Sequence, residues 1–273
     1  MPYITVKGRK VFCLDEGEGF PVLFGHSYLW DSSMWEPQLK ELSGSYRCIA
    51  PDLWAHGRSD PPPQSPYTVE ALAEDAWELT QALELERFAV VGLSVGGMWA
   101  VHLALAHPEA VAALVLMDTY VGPEPKESAT RYFQMIETVG KLGRIPPQML
   151  DALMPLFFSP ATLQRKPKFV EEFRSRLLSL PAEQMPGILA LGKGIFSRNS
   201  VLERLGEIKA PTLIIVGKDD RSRPPYEAQE MAKLIPGARL EVIPEAGHIS
   251  NLEKPEEVTA LLKAFLSEVL GEA

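Results

Sequence analysis

The feature of this chain best suited to covalent chemistry is a serine hydroxyl set between glycines, where an apolar run gives way to a helix-forming one. The run Val90-Val91-Gly92-Leu93-Ser94-Val95-Gly96-Gly97 has the form G-x-S-x-G. Gly92 and Gly96 leave room for a strand and a helix to approach closely around a sharp bend, a nucleophile elbow that projects the Ser94 hydroxyl. A hydroxyl at its ordinary pKa is a poor nucleophile, so a base must lie within hydrogen-bond reach and a third group must fix that base's tautomer. Of five histidines, His248 sits in Pro244-Glu245-Ala246-Gly247-His248, after a strand-like run and before the last helical pattern. That places it at the carboxyl edge of a sheet, the same edge as Ser94. His102 and His107 lie on or near the end of the helix after the elbow and read as packing or helix-end groups, while His56 belongs to a glycine-flanked turn. Three acids follow strand-like runs in the chain order Ser, acid, His: the adjacent Asp219 and Asp220, and Asp118. Together these residues describe acyl transfer, with Ser94 attacking an ester carbonyl and His248 taking and returning the proton.

The elements that must position them alternate strand with helix, the pattern of an α/β fold with a mostly parallel sheet and helices on both faces. Eight strands are expected: 3–6 and 10–14 as a starting pair, 21–24, 47–50, 88–93 and 111–117 as inner strands, and 211–216 and 239–243 after an interruption. Helices are expected after Thr68, where Val69, Leu72, Ala73, Ala76, Leu79 and Leu83 recur at helical intervals, and over 255–270, which opens on Pro and Glu. Ser33-Met34-Trp35-Glu36 has capping-box spacing. Over 122–204 the strand signal vanishes and Met, Leu, Phe and interrupting prolines take over. The chain therefore divides into a core of residues 1–121 and 205–273 and an inserted helical cap of residues 122–204. Tyr132, Phe133, Met135, Ile136, Leu153, Met154, Phe157, Phe158, Met185, Ile188, Leu189 and Ile195 supply the cap's apolar faces, read mainly as packing. An insert there stands beyond the carboxyl ends of the strands, where open α/β sheets bind ligands.

At 273 residues, 46% apolar and 23% charged, the chain has the size and balance of a folded globular protein with one large core. A formal charge of −9 with no basic stripe repels a phosphate backbone, so nucleic acid is not an expected partner. No apolar stretch has membrane-spanning length and the opening residues lack a signal-peptide core, which points to a cytoplasmic protein without a membrane partner. Cys13 and Cys48 form neither a C-x-x-C pair nor a zinc set and read as buried small side chains. No metal and no cofactor is expected, and a homodimer is left open.

Phe24-Gly25-His26, the turn Asp52-Leu53-Trp54-Ala55-His56-Gly57-Arg58-Ser59, the elbow, Gly217-Lys218-Asp219-Asp220 with Pro224, and Gly247-His248 resemble the α/β-hydrolase superfamily, in order and across nearly the whole chain. In that family the acid stands three residues after the glycine, which implies Asp220. The resemblance also implies an oxyanion hole made by the backbone N–H groups of Tyr28 and Val95; here the usual His-Gly-x reads His26-Ser27-Tyr28. The stretch Asp31-Ser32-Ser33-Met34-Trp35 and the cap's length are similar to 3-oxoadipate enol-lactonases and related small esterases. The implied activity is hydrolysis of small to medium carboxylic esters or lactones through an acyl-enzyme. A carbon–carbon bond hydrolase, a cofactor-free perhydrolase or a hydroxynitrile lyase would use a similar triad, and a catalytically silent ligand-binding protein would keep the scaffold. Haloalkane dehalogenases and epoxide hydrolases carry aspartate at the elbow, so Ser94 counts against both. Arg165, Lys166, Lys168, Arg174 and Arg176 could offer charge to an acidic substrate, but a solvated helix face explains them more simply.

Overall fold

Parallel strands need crossovers, and crossovers carry helices to the faces of the sheet. The computed structural model, which describes residues 2–271, follows that rule. The strands are β1 Tyr3–Val6, β2 Arg9–Glu16, β3 Phe20–Gly25, β4 Tyr46–Pro51, β5 Phe88–Leu93, β6 Val111–Met117, β7 Thr212–Gly217 and β8 Arg239–Ile243. They form one sheet in the order β1-β2-β4-β3-β5-β6-β7-β8, antiparallel at β1-β2 and β2-β4 and parallel elsewhere. Every residue of β5 and β7 is buried, which is why these strands read as unbroken apolar runs in the sequence.

The helices are α1 Glu36–Leu42, α2 Val69–Ala82, α3 Val95–Ala106, α4 Lys126–Leu142, α5 Pro147–Phe157, α6 Pro160–Arg165, α7 Pro167–Leu178, α8 Met185–Phe196, α9 Pro225–Leu234, α10 Ser250–Glu253 and α11 Pro255–Leu270. Because side chains alternate along a strand, Phe24, Val91, Val115 and Ile215 pack on one face with Leu39 of α1 and Leu262 of α11. Leu23, Val90, Leu114 and Ile214 pack on the other with Leu72 of α2, Val101 of α3 and Met231 of α9. Thr68 caps α2 by accepting the N–H of Ala71 at 3.2 Å.

The expected capping box at Ser33 does not form. Asp31, two residues earlier, accepts the Ser33 N–H at 2.9 Å, and the Ser33 hydroxyl donates to the same carboxylate. The shorter reach of an aspartate to the second residue on wins the N–H, so 32–35 winds as a 3₁₀ turn and α1 starts only at Glu36. In α11, Val258, Leu262, Phe265 and Leu266 are buried while Leu261 is half-buried.

Between β6 and β7 the chain holds five helices, α4 to α8, standing over the carboxyl ends of the strands. Phe133, read as part of an inner face, is 37% exposed on α4. Among the described residues, no helix is long and apolar enough to cross a membrane.

Candidate active site

Ser94 joins β5 to α3 with φ 56° and ψ −120°, a conformation that costs a non-glycine residue roughly 1–3 kcal/mol and lifts its hydroxyl clear of the strand. Neighbouring backbone enforces the bend. A Cβ on Gly96 would collide with the Gly25 carbonyl, and one on Gly92 with the backbone of Gly96 and Gly97. The Ser94 N–H donates to Met117 O at 2.9 Å, and the Thr119 hydroxyl donates to Ser94 O at 2.6 Å, so both peptide groups of the elbow are tied to the end of β6.

The loop after β8 brings in His248, whose Nε2 lies 2.9 Å from Ser94 Oγ. Its Nδ1 lies 2.9 Å from Asp220 Oδ2, and the other carboxylate oxygen, Oδ1, accepts the N–H groups of Ser222 at 2.8 Å and Arg223 at 2.9 Å. With Nδ1–H donating to a fixed carboxylate, Nε2 is left as the acceptor facing the serine hydroxyl. Of the three sequence candidates for the acid, Asp220 alone meets the imidazole. Asp219 contributes its backbone N–H to Ala246 O at 2.8 Å, and its side chain is half-buried. Asp118 is fully buried and accepts the N–H of Gly217 at 2.8 Å and the Ser250 hydroxyl at 2.6 Å, joining the end of β7 to the residue two beyond His248. Burial, with the nearby Asp220 charge, pushes the Asp118 carboxyl well above the usual carboxylate range. His107 stacks on Trp77 with ring centroids 3.6 Å apart, and His102 is half-buried on α3.

On the other side of Ser94 runs the loop after β3. The N–H groups of Ser27, Leu29 and Trp30 donate to Met34 Sδ, His56 Nε2 and Ser27 O. The Tyr28 N–H has no protein acceptor among the described residues, and the N–H of Val95 belongs to the first turn of α3, which has no intrahelical partner. Two neutral histidines hold the loop. His26 Nδ1–H donates to Ser27 O at 2.8 Å while its Nε2 accepts the Leu53 N–H at 2.8 Å. His56 Nδ1–H donates to Trp54 O at 2.8 Å while its Nε2 accepts the Leu29 N–H at 3.2 Å. Burial pushes His26 down to about 4 and His56 down to about 3, so neither is charged near neutral pH.

Above these groups lies a cavity with about 900 Å³ of empty space, part of it open to solvent. Ser94, His248 and Tyr28 line its floor, and its walls are apolar: Met135, Ile136 and Val139 of α4, Leu153 and Phe157 of α5, Ile188 of α8. Most of the cap residues that read as packing thus face the cavity, whereas Met154 and Phe158 are buried in the core and do not line it. Two charged side chains, Glu124 and Arg223, stand at its wall among the described residues, and the sequence reading missed both. Arg223 Nη2 donates to both Glu124 oxygens at 2.6 and 2.7 Å, Arg198 Nη1 donates to Glu124 at 2.9 Å, and Glu227 lies 3.6 Å from Arg223. Against the opposing effect of burial, the two guanidinium groups hold Glu124 below the usual range, while burial pushes Glu227 up to about 7. Nothing in a lone Glu124 between two prolines signals that it fastens both roots of the insert to the turn carrying Asp220. The cap cations of the sequence reading stand elsewhere: Arg165 pairs with Glu245, Lys168 with Glu172, Arg174 with Asp151 and Arg176 with Asp31, none at the cavity wall, and the Lys166 ammonium donates to the Glu253 carbonyl. Among the described residues, no group of three or more His, Cys, Asp or Glu side chains is placed to hold a metal ion.

A model of the alpha/beta hydrolase fold family matches residues 21–255. The 2-hydroxymuconate semialdehyde hydrolase of Pseudomonas putida is 29% identical, with 97% of this chain and 93% of that one covered. Among solved structures, a thermophilic esterase from Thermogutta terrifontis superposes with a TM-score of 0.88 at 33% identity, covering 98% of both chains. The enol-lactonase from Burkholderia xenovorans superposes with a TM-score of 0.87 at 28% identity, covering 97% of this chain and 100% of that one.

Proposed function

This chain belongs to the α/β-hydrolase fold family, near its esterases and enol-lactonases, and on that premise we propose that it is a metal-independent serine hydrolase cleaving carboxylic esters or lactones through an acyl-enzyme. The observation that carries the reading is the pair of 2.9 Å contacts that link Ser94 Oγ to His248 and His248 to Asp220. Ser94 Oγ attacks the carbonyl carbon as His248 Nε2 takes its proton, and the charge that develops on the imidazole is balanced by Asp220. The N–H groups of Tyr28 and Val95 receive the oxyanion, and donors of this kind each contribute roughly 3–4 kcal/mol of transition-state stabilisation. His248 then returns the proton to the leaving alcohol, and water releases the acid by the same steps in reverse order.

The apolar walls support substrates whose chain is buried as hydrocarbon, and each CH₂ enclosed there contributes about 0.8 kcal/mol of binding. Arg223 and Arg198 share the Glu124 carboxylate, and apolar side chains make up most of the wall, so substrates with a hydrocarbon chain are the favoured class. A small molecule is then the only partner the reaction needs, and two free buried cysteines, Cys13 and Cys48, fit a reducing cytoplasm.

Labelling with a fluorophosphonate tests the reading: an adduct on Ser94 is expected, together with loss of p-nitrophenyl ester turnover in Ser94→Ala. Active protein that takes no label at Ser94 overturns it. A chain-length series of p-nitrophenyl esters run beside an enol-lactone is expected to rise with acyl length before falling. A second reading, carbon–carbon bond hydrolysis on the same triad, is favoured by the likeness to 2-hydroxymuconate semialdehyde hydrolase; turnover of a vinylogous diketone faster than of any ester in the series would select it.

A further inference from the structure

Glu253, the last residue of α10, is 1% exposed and carries a carboxylate whose two oxygens serve different parts of the molecule. Oε1 accepts the N–H of Gly247 at 2.7 Å, and Oε2 accepts the N–H of Ser159 at 2.9 Å. Gly247 directly precedes His248, and Ser159 stands between α5 and α6 of the helical insert. The same seam carries three more bonds. The His248 N–H donates to Phe157 O at 2.9 Å, the Ser159 hydroxyl to Glu245 O at 3.0 Å, and the Ser222 hydroxyl to Leu156 O at 2.9 Å. A Cβ on Gly247 would sit 2.6 Å from the Ser159 nitrogen, so the two segments meet backbone to backbone.

The histidine loop needs such an anchor. It leaves β8, the edge strand, which is paired on one side only and whose residues are mostly exposed. A loop at the end of a half-paired strand has little to fix it within the few tenths of an ångström that proton transfer requires. We infer that Glu253 is a positioning residue, a buried carboxylate that clamps the His248 loop to the insert and so sets the imidazole's reach to Ser94. The inference rests on the reading of Ser94 and His248 as nucleophile and base. On this view the 156–159 segment is part of the catalytic scaffold rather than a hinged lid, and substrate enters past other walls of the cavity.

Glu253→Gln is isosteric, but its amide nitrogen presents a second donor to one of the two N–H groups and can satisfy only the other. Kinetics on a p-nitrophenyl ester, counted per fluorophosphonate-reactive Ser94, are expected to show kcat about 10- to 100-fold below the wild type, with KM within about threefold. Glu253→Ala leaves a cavity shaped for a carboxylate, and added formate is expected to raise its kcat by at least about threefold while chloride at equal ionic strength does not and the wild type does not respond. A kcat per reactive site within about threefold of the wild type in Glu253→Gln overturns the inference, as does a loss explained wholly by fewer reactive sites. Should Glu253→Ala not accumulate as folded protein, Glu253→Gln carries the test. Wild-type protein in which Ser94 takes no label removes the underlying reading instead, so the two failures are distinguishable.

Discussion

On the β3 side of Ser94, the backbone N–H groups of Leu53 and Leu29 end on the neutral imidazoles of His26 and His56. On the β8 side, those of Ser222 and Gly247 end on the carboxylates of Asp220 and Glu253. Both sides solve the same local problem, an irregular buried loop whose donors must be satisfied. Carboxylates also take donors farther along the β3-side loop, Asp52 the Ser32 N–H at 2.7 Å and Asp31 the Ser33 N–H at 2.9 Å. The N–H of Leu29, next to Tyr28, ends instead on an imidazole, which suits the charge that each side faces in the proposed reaction. Negative charge grows on the carbonyl oxygen near Tyr28 and Val95, where a carboxylate would oppose it, whereas positive charge grows on His248, where carboxylates help. At an effective dielectric of about 20, a unit charge several ångströms away is worth roughly 2 kcal/mol, enough to decide which acceptor a loop can carry.

The largest effect is expected on the carboxylate side. Asp220→Asn keeps the shape but takes the charge from beside the imidazole and lets the wrong tautomer form, so kcat is expected to fall about 10⁴-fold in steady-state kinetics. A fall of less than about tenfold would dissolve the distinction between the two sides.

Next comes acid sensitivity on the imidazole side. His26 and His56 titrate at about 4 and about 3 when folded against an ordinary value of 6.5, so as pH falls below that value the unfolded chain binds protons first. The stability they provide is full above pH 6.5 and drains as pH falls toward the folded values, by about 2 kcal/mol for each histidine at pH 5. Denaturant unfolding at pH 7 and pH 5 is expected to show that loss, and a double His26→Asn, His56→Gln variant a shallower dependence.

A smaller effect separates neutral from charged acceptors at one position. His56→Leu leaves the Leu29 N–H buried without a partner and is expected to lower stability by about 1–3 kcal/mol, while His56→Gln restores an acceptor and recovers most of it. His56→Glu also supplies an acceptor, yet at pH 8 its kcat is expected about tenfold below that of His56→Gln, because a carboxylate then faces the oxyanion. Equal rates in the two variants would remove the electrostatic part of the comparison. The smallest effect is reserved for Asp219→Asn, whose side chain meets no group of the site: kcat within about twofold of the wild type is expected.

Much of this site was legible in the residues themselves. The elbow glycines, the Ser94 bend and the strand ends are local matters, since steric exclusion around Gly92 and Gly96 and burial of whole strands leave marks in composition and spacing. His248 could be chosen among five histidines from its place after a strand. The acid could not be chosen that way. Asp118, Asp219 and Asp220 all follow strand ends, and the resemblance to known hydrolases pointed to Asp220 where spacing alone did not. The capping box at Ser33 failed for a related reason, because a second acceptor two residues away competed for one N–H.

What the sequence determined by itself was the order of strands and helices, the sharp turn at Ser94 and the set of residues able to do acid–base chemistry, all fixed by contacts within a few positions of each residue. Tertiary structure alone decided which carboxylate meets His248, which cap side chains face the cavity, and that Glu124, Arg223 and Glu253 are buried and paired. Those outcomes depend on atoms up to a hundred residues apart coming within 3 Å. A charged side chain in a sequence looks the same whether water or a buried partner will satisfy it, and only the folded geometry chooses between them.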